Sequence, residues 1–328
     1  MKAILHTHYG PPELLELKEL ETPTPRDNEV LIAIHATTVS TADCNLRNLT
    51  FVTKSMRPIA KLMFGIGKPW KARVLGTELA GEVERVGKNV MRFKTGDRVV
   101  ASTGAAGGGH AEYACLPETG AIAMTPRSLS SEQAVAIPFG ANTALYFLRD
   151  LGKIRAGQDV LIIGASGAIG SAGVQLAKHF GARVTGVCSG QNVQLVRALG
   201  ADKVIDYTRE DFTNSGDTHD LIFDVVGATT FDRCERSLKA EGTFLQNIME
   251  VNDIARVLWT SIRRGKKIKG GVAIGNMANM GLITALAEAG TLKPVIDRCY
   301  PLDQIAEAFK YVEQGHKKGN VVITVTRP

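Results

Sequence analysis

Hydrophobic and polar positions alternate over short runs in the first 125 residues. Residues 2–5, 29–37, 82–86, 97–101 and 111–116 each have strand length, and Pro, Gly and Asp punctuate the gaps between them. This stretch therefore reads as β-rich. The pattern changes at Ser130-Ser-Glu-Gln133, where a serine three residues ahead of a glutamine forms a capping signature before a long apolar helical run. Strand and helix then alternate. Residues 160–163, 183–187, 203–205, 221–225, 243–245 and 267–270 are the expected parallel strands, with crossover helices over 169–180, 192–199 and 231–238. Such alternation predicts an α/β fold with a doubly wound parallel sheet. Two further helical patterns, 281–289 and 304–313, and a last strand, 321–326, are expected to return to the β-rich domain. The predicted division is residues 1–125 with 271–328 as one discontinuous domain and residues 126–270 as a second, inserted domain.

Composition narrows the function classes. The 328 residues carry 39 Lys plus Arg against 33 Asp plus Glu, a formal charge of +6, and 44% are hydrophobic. Ordinary proportions of this kind exclude a collagen-like chain and long disordered tails. Cysteines 44, 115, 188, 234 and 299 show no CxxC and no close Cys/His spacing, so they read as reduced thiols rather than a disulfide scaffold or a metal loop. The first residues enter a strand-like run with neither a signal-peptide nor a transit pattern, which predicts a cytoplasmic protein. Uncharged stretches at 160–177 and 270–287 reach the length of a short membrane span, but their glycines and polar residues fit buried α/β elements better. No transmembrane segment is expected.

The most specific chemical signal is Val160-Leu-Ile-Ile-Gly164-Ala165-Ser166-Gly167-Ala168-Ile169-Gly170, a buried strand passing through a glycine turn into a helix. Gly167 lets backbone approach a pyrophosphate, Gly170 lets the helix pack on the strand, and the helix N-terminus offers unpaired N–H groups to the anion. The motif departs from the usual fingerprint at one point, since Ala165 takes the place of the first glycine. Dinucleotide binding is the expected chemistry.

Cofactor choice is read at the end of the second strand, where an acid would hold a ribose 2′-hydroxyl. That strand runs into Ser189-Gly190-Gln191-Asn192, a loop with no carboxylate. Ser189, Asn192 and the Gly190 N–H suit a 2′-phosphate, which favours NADPH over NADH. Arg209, in Asp206-Tyr207-Thr208-Arg209, is either the missing cation or a solvated loop residue, and Tyr207 either stacks on adenine or packs at a strand end.

Several further motifs then point one way. Val74-Leu-Gly76-Thr77-Glu78-Leu-Ala-Gly81-Glu-Val83, Gly96-Asp97-Arg-Val99, Ala111-Glu-Tyr113, the glycine turn, Leu199-Gly-Ala-Asp202, Asp224-Val-Val-Gly227 and Gly319-Asn320-Val-Val-Ile323 span nearly the whole chain. With them the sequence resembles the medium-chain dehydrogenase/reductase superfamily, in its zinc-independent quinone oxidoreductase branch. The resemblance implies a GroES-like catalytic domain interrupted by a Rossmann domain, with the active site in the cleft between them.

Zinc enzymes of that superfamily place their catalytic ligands where this chain has Ser40, Thr77 and Phe139, and none of these is a thiolate, imidazole or carboxylate. The short segment 101–109 also lacks the cysteines of their structural zinc lobe. No zinc is expected, and Glu78 reads as a buried structural group. Without a Lewis acid, reduction of an electrophilic acceptor is the accessible chemistry. A quinone or α,β-unsaturated carbonyl takes up hydride, and modest hydrogen-bond donors then stabilise the resulting anion. By position, the resemblance puts Ser40 and Asp43 near the acceptor, and Asn142 and Thr143 beside the nicotinamide. It puts Gly227, Asn247 and Asn320 along the cofactor. Thr77, Phe139 and His110 are expected in the substrate pocket, His110 as either a general acid or a packing residue.

Two segments remain. Residues 50–73 mix Phe51, Met56, Ile59, Met63 and Phe64 with basic residues. They read as a lid carrying Phe51 and Phe64 over the acceptor, as a surface helix, or as a weak membrane contact. The basic run 263–269 has only Trp259 nearby to stack on bases, so nucleic-acid binding is not expected. An NADPH-dependent reductase of small electrophilic acceptors is the leading reading, with a homodimer as the resembled family commonly forms. The alternative is a non-catalytic NADPH-binding stress or structural protein that contacts RNA through 263–269.

Overall fold

The computed structural model describes residues 1–50, 62, 65, 69, 73–248, 256–257, 259–260 and 264–325. Phe51 and Phe64, with most of the expected lid, lie outside the described residues. The chain divides into two compact units: residues 1–139 with 275–289 and 294–328, and residues 140–274 with 290–293. Residues 126–139, 271–274 and 290–293 thus fall on the opposite side of the division from the expected assignment.

The first unit is built on strands that pair antiparallel, except for the last two, which pair parallel. Before the second unit come β1 (Lys2–His6), β2 (Leu15–Glu19), β3 (Glu29–Val39), β4 (Glu78–Val86), β5 (Arg98–Ser102), β6 (Tyr113–Pro117) and β7 (Ile122–Met124). After it come β14 (Ile296–Pro301) and β15 (Asn320–Thr324). They form a seven-stranded sheet in the order β14-β15-β3-β4-β5-β7, with β6 pairing β3, while β1 and β2 form a separate ribbon. The eleven residues of β3 are almost all buried, since neighbours cover both its faces: Ile32 and Ile34 enter one apolar cluster, Ala36 another. Helices α1 (Thr41–Asn48), α2 (Ser131–Val135), α7 (Met277–Glu288) and α8 (Ile305–Glu313) pack around this sheet. The capping signature at 130 forms as expected: the Ser130 hydroxyl accepts from the Gln133 amide at 3.2 Å and Gln133 Oε1 accepts from the Ser130 amide at 3.0 Å. The long helix expected after it is interrupted at Ile137-Pro138, because proline cannot donate to the preceding turn.

The second unit holds six parallel strands, β8 (Asp159–Ile163), β9 (Arg183–Cys188), β10 (Lys203–Asp206), β11 (His219–Asp224), β12 (Leu238–Gln246) and β13 (Lys267–Gly270). Helices α3 (Pro138–Leu145), α4 (Ala168–His179), α5 (Val193–Ala198) and α6 (Phe231–Cys234) accompany them. The order β10-β9-β8-β11-β12-β13 reverses direction between β8 and β11. That reversal is the switch point at which doubly wound sheets bind their ligands. Leu161, Ile163, Ile222 and Phe244 are buried where the strands bear on their crossover helices.

Candidate active site

At the switch point the glycine turn has the local geometry that the sequence demands of it. Gly164 ends β8 at φ +82°, a conformation that favours glycine, and both its amide and that of Ala165 donate to Val187 O at 3.0 Å. A Cβ on Gly170 would lie 2.1 Å from Gly164 O and 2.8 Å from Ala165 Cα, so α4 rests directly on the turn. A Cβ on Gly140 would meet Ala168 O at 2.3 Å, which brings α3, with its buried Asn142 and Thr143, against the same helix start. At Gly167 the space is open instead: the nearest atom to a Cβ there is 3.6 Å away. Gly167 caps α4 without a side chain, leaving the first-turn amides of Ala168, Ile169 and Gly170 without a side-chain acceptor. An open glycine at an uncapped helix start fits a pyrophosphate.

Beside this turn, Asn192 is buried and its Nδ2 donates to both Ser166 Oγ and Ser189 Oγ at 3.2 Å. One amide thus joins the glycine turn to the end of β9. Gly190, whose N–H is expected to face a phosphate, lies against the Asp206 carboxylate: a Cβ there would be 2.5 Å from Asp206 Oδ2. Tyr207 is 53% exposed and Arg209 is exposed beside it.

Across the switch point, β11 ends in a turn organised by one residue that the sequence reading quoted but gave no role. Asp224 is wholly buried; its Oδ1 accepts from the amides of Val226 at 3.0 Å and Gly227 at 2.9 Å, and its Oδ2 from Thr229 at 3.0 Å. Burial raises its pKa, and the backbone donors oppose that rise. Gly227 takes φ +71°, and Asn247 Nδ2 donates to Val225 O at 3.1 Å, linking the turn to the end of β12.

In the first unit, Ser40 and Asp43 form a capping box at the start of α1: the Asp43 amide donates to Ser40 Oγ at 3.2 Å and the Ser40 amide to Asp43 Oδ2 at 2.8 Å. Ser40 Oγ also donates to Asp43 Oδ2 at 2.6 Å, and Asp43 Oδ1 accepts from the Gly76 amide at 3.1 Å. Asp43 is fully buried, and its carboxylate holds the Ser40 hydroxyl and the Gly76 amide in place. Thr77 is held loosely, with its Oγ1 3.5 Å from Asp43 Oδ2 and 3.4 Å from Ser40 Oγ. Of the two hydroxyls, Thr77 is therefore the one able to turn toward a ligand.

Glu78 is buried next to this pair. Its Oε1 accepts from Thr38 Oγ1 at 2.6 Å and its Oε2 from the Phe139 amide at 2.8 Å. Burial pushes the carboxyl up to about 7, while burial pulls the Lys317 ammonium down to about 8 with Glu78 opposing the fall. Asn320 Nδ2 donates to Ala136 O at 2.7 Å and Val295 O at 3.1 Å, so its amide group ties β15 to α2. His110, expected as either a general acid or a packing residue, is wholly enclosed. It has no exposed surface, its Nε2 lies 2.8 Å from Thr38 O, and its ring stands edge-on to Phe309 at 5.8 Å. Burial lowers its pKa, which suits a neutral packing residue rather than a pocket-lining acid. Thr38, Lys317, Asp206 and Asp224 escaped the sequence reading because each acts through a contact distant in sequence or through backbone amides.

The zinc ligand positions thus hold a hydroxyl pair around a buried carboxylate, together with a phenyl ring. Neither hydroxyl is a ligand for a tetrahedral zinc site, and among the described residues no three His, Cys, Asp or Glu side chains are placed to hold a metal. The basic run is also partly engaged: Lys266 Nζ donates to Glu235 O at 2.6 Å and Lys269 Nζ to Leu151 O at 2.7 Å.

Comparison with known proteins agrees with this construction. Residues 26–126 match the alcohol dehydrogenase GroES-like domain, and residues 199–323 the zinc-binding dehydrogenase family. The chain is 30% identical to the chloroplastic quinone-oxidoreductase homolog of Spinacia oleracea over 98% of both chains. It is also 30% identical to the chloroplastic NADPH-dependent alkenal/one oxidoreductase of Arabidopsis thaliana, over 98% of this chain and 79% of that one. The quinone oxidoreductase structure from Coxiella burnetii superposes with a TM-score of 0.85 at 28% identity, covering 99% of each chain. With a GroES-like unit, a Rossmann sheet and hydroxyls at the metal positions, the chain is an oxidoreductase that belongs to the medium-chain dehydrogenase/reductase superfamily, in its zinc-independent quinone oxidoreductase branch.

Proposed function

We propose that this enzyme uses NADPH to reduce a small electrophilic acceptor, a quinone or an α,β-unsaturated carbonyl, without zinc. The observation that carries the reading is the Thr77 hydroxyl, loosely anchored on Asp43 where zinc enzymes of the superfamily place a metal ligand. A donor that can turn stabilises the oxyanion formed when such an acceptor is reduced, whereas oxidation of a simple alcohol needs a stronger electrophile. The residues that would hold the dinucleotide are Gly167 to Gly170 for the pyrophosphate, Ser166, Ser189 and Asn192 for the adenosine side, and Gly227 and Asn247 along the nicotinamide side. When bound, the cofactor supplies the hydride. Asn142 and Thr143 orient the nicotinamide from α3, and Asp43 fixes Ser40 and Thr77. The names of the relatives, a quinone-oxidoreductase homolog and an alkenal/one oxidoreductase, support the same acceptor class.

Two corollaries belong to this reading. The five cysteines are all free, which suits a reducing compartment such as the cytoplasm, although the two relatives above are named as chloroplastic. A second copy of the chain pairs along β13, whose outer edge meets no strand among the described residues, and beside which Val272 and Ile274 are 81% and 79% exposed. The deciding experiment follows NADPH absorbance against quinones, enals, enones and simple ketones, with and without a chelator. Turnover of the first three classes, unaffected by the chelator, is expected. Tight NADPH binding with no turnover of any acceptor would instead point to the non-catalytic alternative.

A further inference from the structure

The loop at the end of β9 has no acid of its own, yet the fold delivers a carboxylate to it from the neighbouring strand. β10 ends at Asp206, which pairs in register with Cys188, the last residue of β9. Asp206 Oδ1 accepts from the Thr208 amide at 3.0 Å and the Thr208 hydroxyl at 2.7 Å, which fixes the side chain in a tight turn. The other oxygen reaches the Gly190 loop. A Cβ on residue 190 would lie 2.5 Å from Asp206 Oδ2, so the approach depends on glycine. Asp206 thus brings a carboxylate against the loop in which a dinucleotide fold usually carries the acid that reads ribose hydroxyls.

Its surroundings pull in the opposite direction. Asn192 donates to the oxygens of both Ser166 and Ser189, which leaves the two hydroxyl protons available to an anion. Arg209 closes the Asp206 turn through its own amide, 3.0 Å from Asp206 O, and brings a cation to the same loop. One subsite therefore combines donors suited to a phosphate with an acid suited to a free hydroxyl.

We infer that Asp206 sets the cofactor preference of this chain: its carboxylate opposes a 2′-phosphate that Ser166, Ser189 and Arg209 favour, so the enzyme accepts NADH as well as NADPH with a modest preference. The inference rests on the dinucleotide site proposed above. A carboxylate a few ångströms from a dianion in a solvated loop is worth on the order of a ten-fold change in affinity.

The test is binding, read without turnover. NADPH and NADH are titrated by nucleotide fluorescence into the intact protein, and adenosine 2′,5′-bisphosphate and AMP by calorimetry. In Asp206→Asn, NADPH and the bisphosphate should bind about ten-fold tighter, while NADH and AMP move less than two-fold. Asp206→Ser, which keeps an oxygen for Thr208, should show the same selectivity, and Arg209→Ala should weaken only the 2′-phosphorylated ligands. Equal changes for both cofactors, or an unchanged ratio in both Asp206 variants, would overturn the inference. If neither cofactor binds the unmodified protein, the dinucleotide reading itself fails.

Discussion

Thr77 and Ser40 differ by less than an ångström in their distance to Asp43, but that difference separates their chemistry. Ser40 gives its proton to Asp43 at 2.6 Å, whereas Thr77 sits at 3.5 Å and can turn away. Thr77→Val should therefore lower kcat/KM for an enone by about ten- to hundred-fold and leave the NADPH Kd unchanged, as steady-state kinetics and fluorescence titration would show. Gly170 allows no such latitude. In Gly170→Ala the new methyl would press on Gly164 O at 2.1 Å, so α4 must shift; a stability loss of about 1–3 kcal/mol in urea and weaker cofactor binding are expected together. Glu78 carries a pH signature. Its folded pKa of about 7 lies above the ordinary 4.5, so between these values the unfolded chain gives up a proton that the folded chain retains. Its contribution to stability is complete at and below pH 4.5 and is lost as the pH rises through 7. Unfolding free energies measured at pH 5, 6 and 7 should fall more steeply in the unmodified protein than in Glu78→Gln, by up to about 1.4 kcal/mol per pH unit. Glutamine preserves the geometry, since its oxygen can accept from the Phe139 amide while the Thr38 hydroxyl reverses to accept from its nitrogen.

Among the elements, the turn after β11 depends most on a single side chain. Replacing the buried Asp224 by alanine would strip the amides of Val226, Gly227 and Thr229 of their acceptor, and of these Thr229 is itself buried. A loss of about 2–4 kcal/mol by urea denaturation is expected, with a smaller loss for asparagine, which retains one acceptor oxygen. How much of this was legible in the sequence depended on how local the cause was. The strand-turn-helix at 160–170, the serine cap at 130 and five of the six parallel strands follow from periodicity and neighbouring residues, and they appear within a few positions of their expected bounds. β12 is longer than expected, because Leu238 joins the ladder opposite His219 across a register shift that no periodicity announces. β14, a half-exposed ribbon of mixed residues beside β15, has no hydrophobic alternation to reveal it. The same rule holds within the site. The glycines and Asn192 were visible as a motif, but Asp206 reaches Gly190 only because β9 and β10 are neighbours, and the burial of His110 depends on Phe309 from the far end of the chain.

For the molecule as a whole, the edge of β13 that no described strand covers can be tested. If two copies pair there, Val272→Lys combined with Ile274→Lys should convert a dimer to a monomer in sedimentation velocity while leaving the far-ultraviolet circular dichroism intact. The order in which the strands of the first unit meet has a further consequence. β3 lies between β4 and β15, and Val39 finds its partner Val321 about 280 residues later in the chain. On the ribosome, the parallel sheet of the second unit is fully synthesised while the central strand of the first still waits for its neighbour. A nascent chain stalled before residue 320 should therefore protect the parallel-sheet unit from protease and leave β3 with an uncovered edge. During translation the parallel-sheet unit is therefore complete while the first unit still lacks the partner of its central strand.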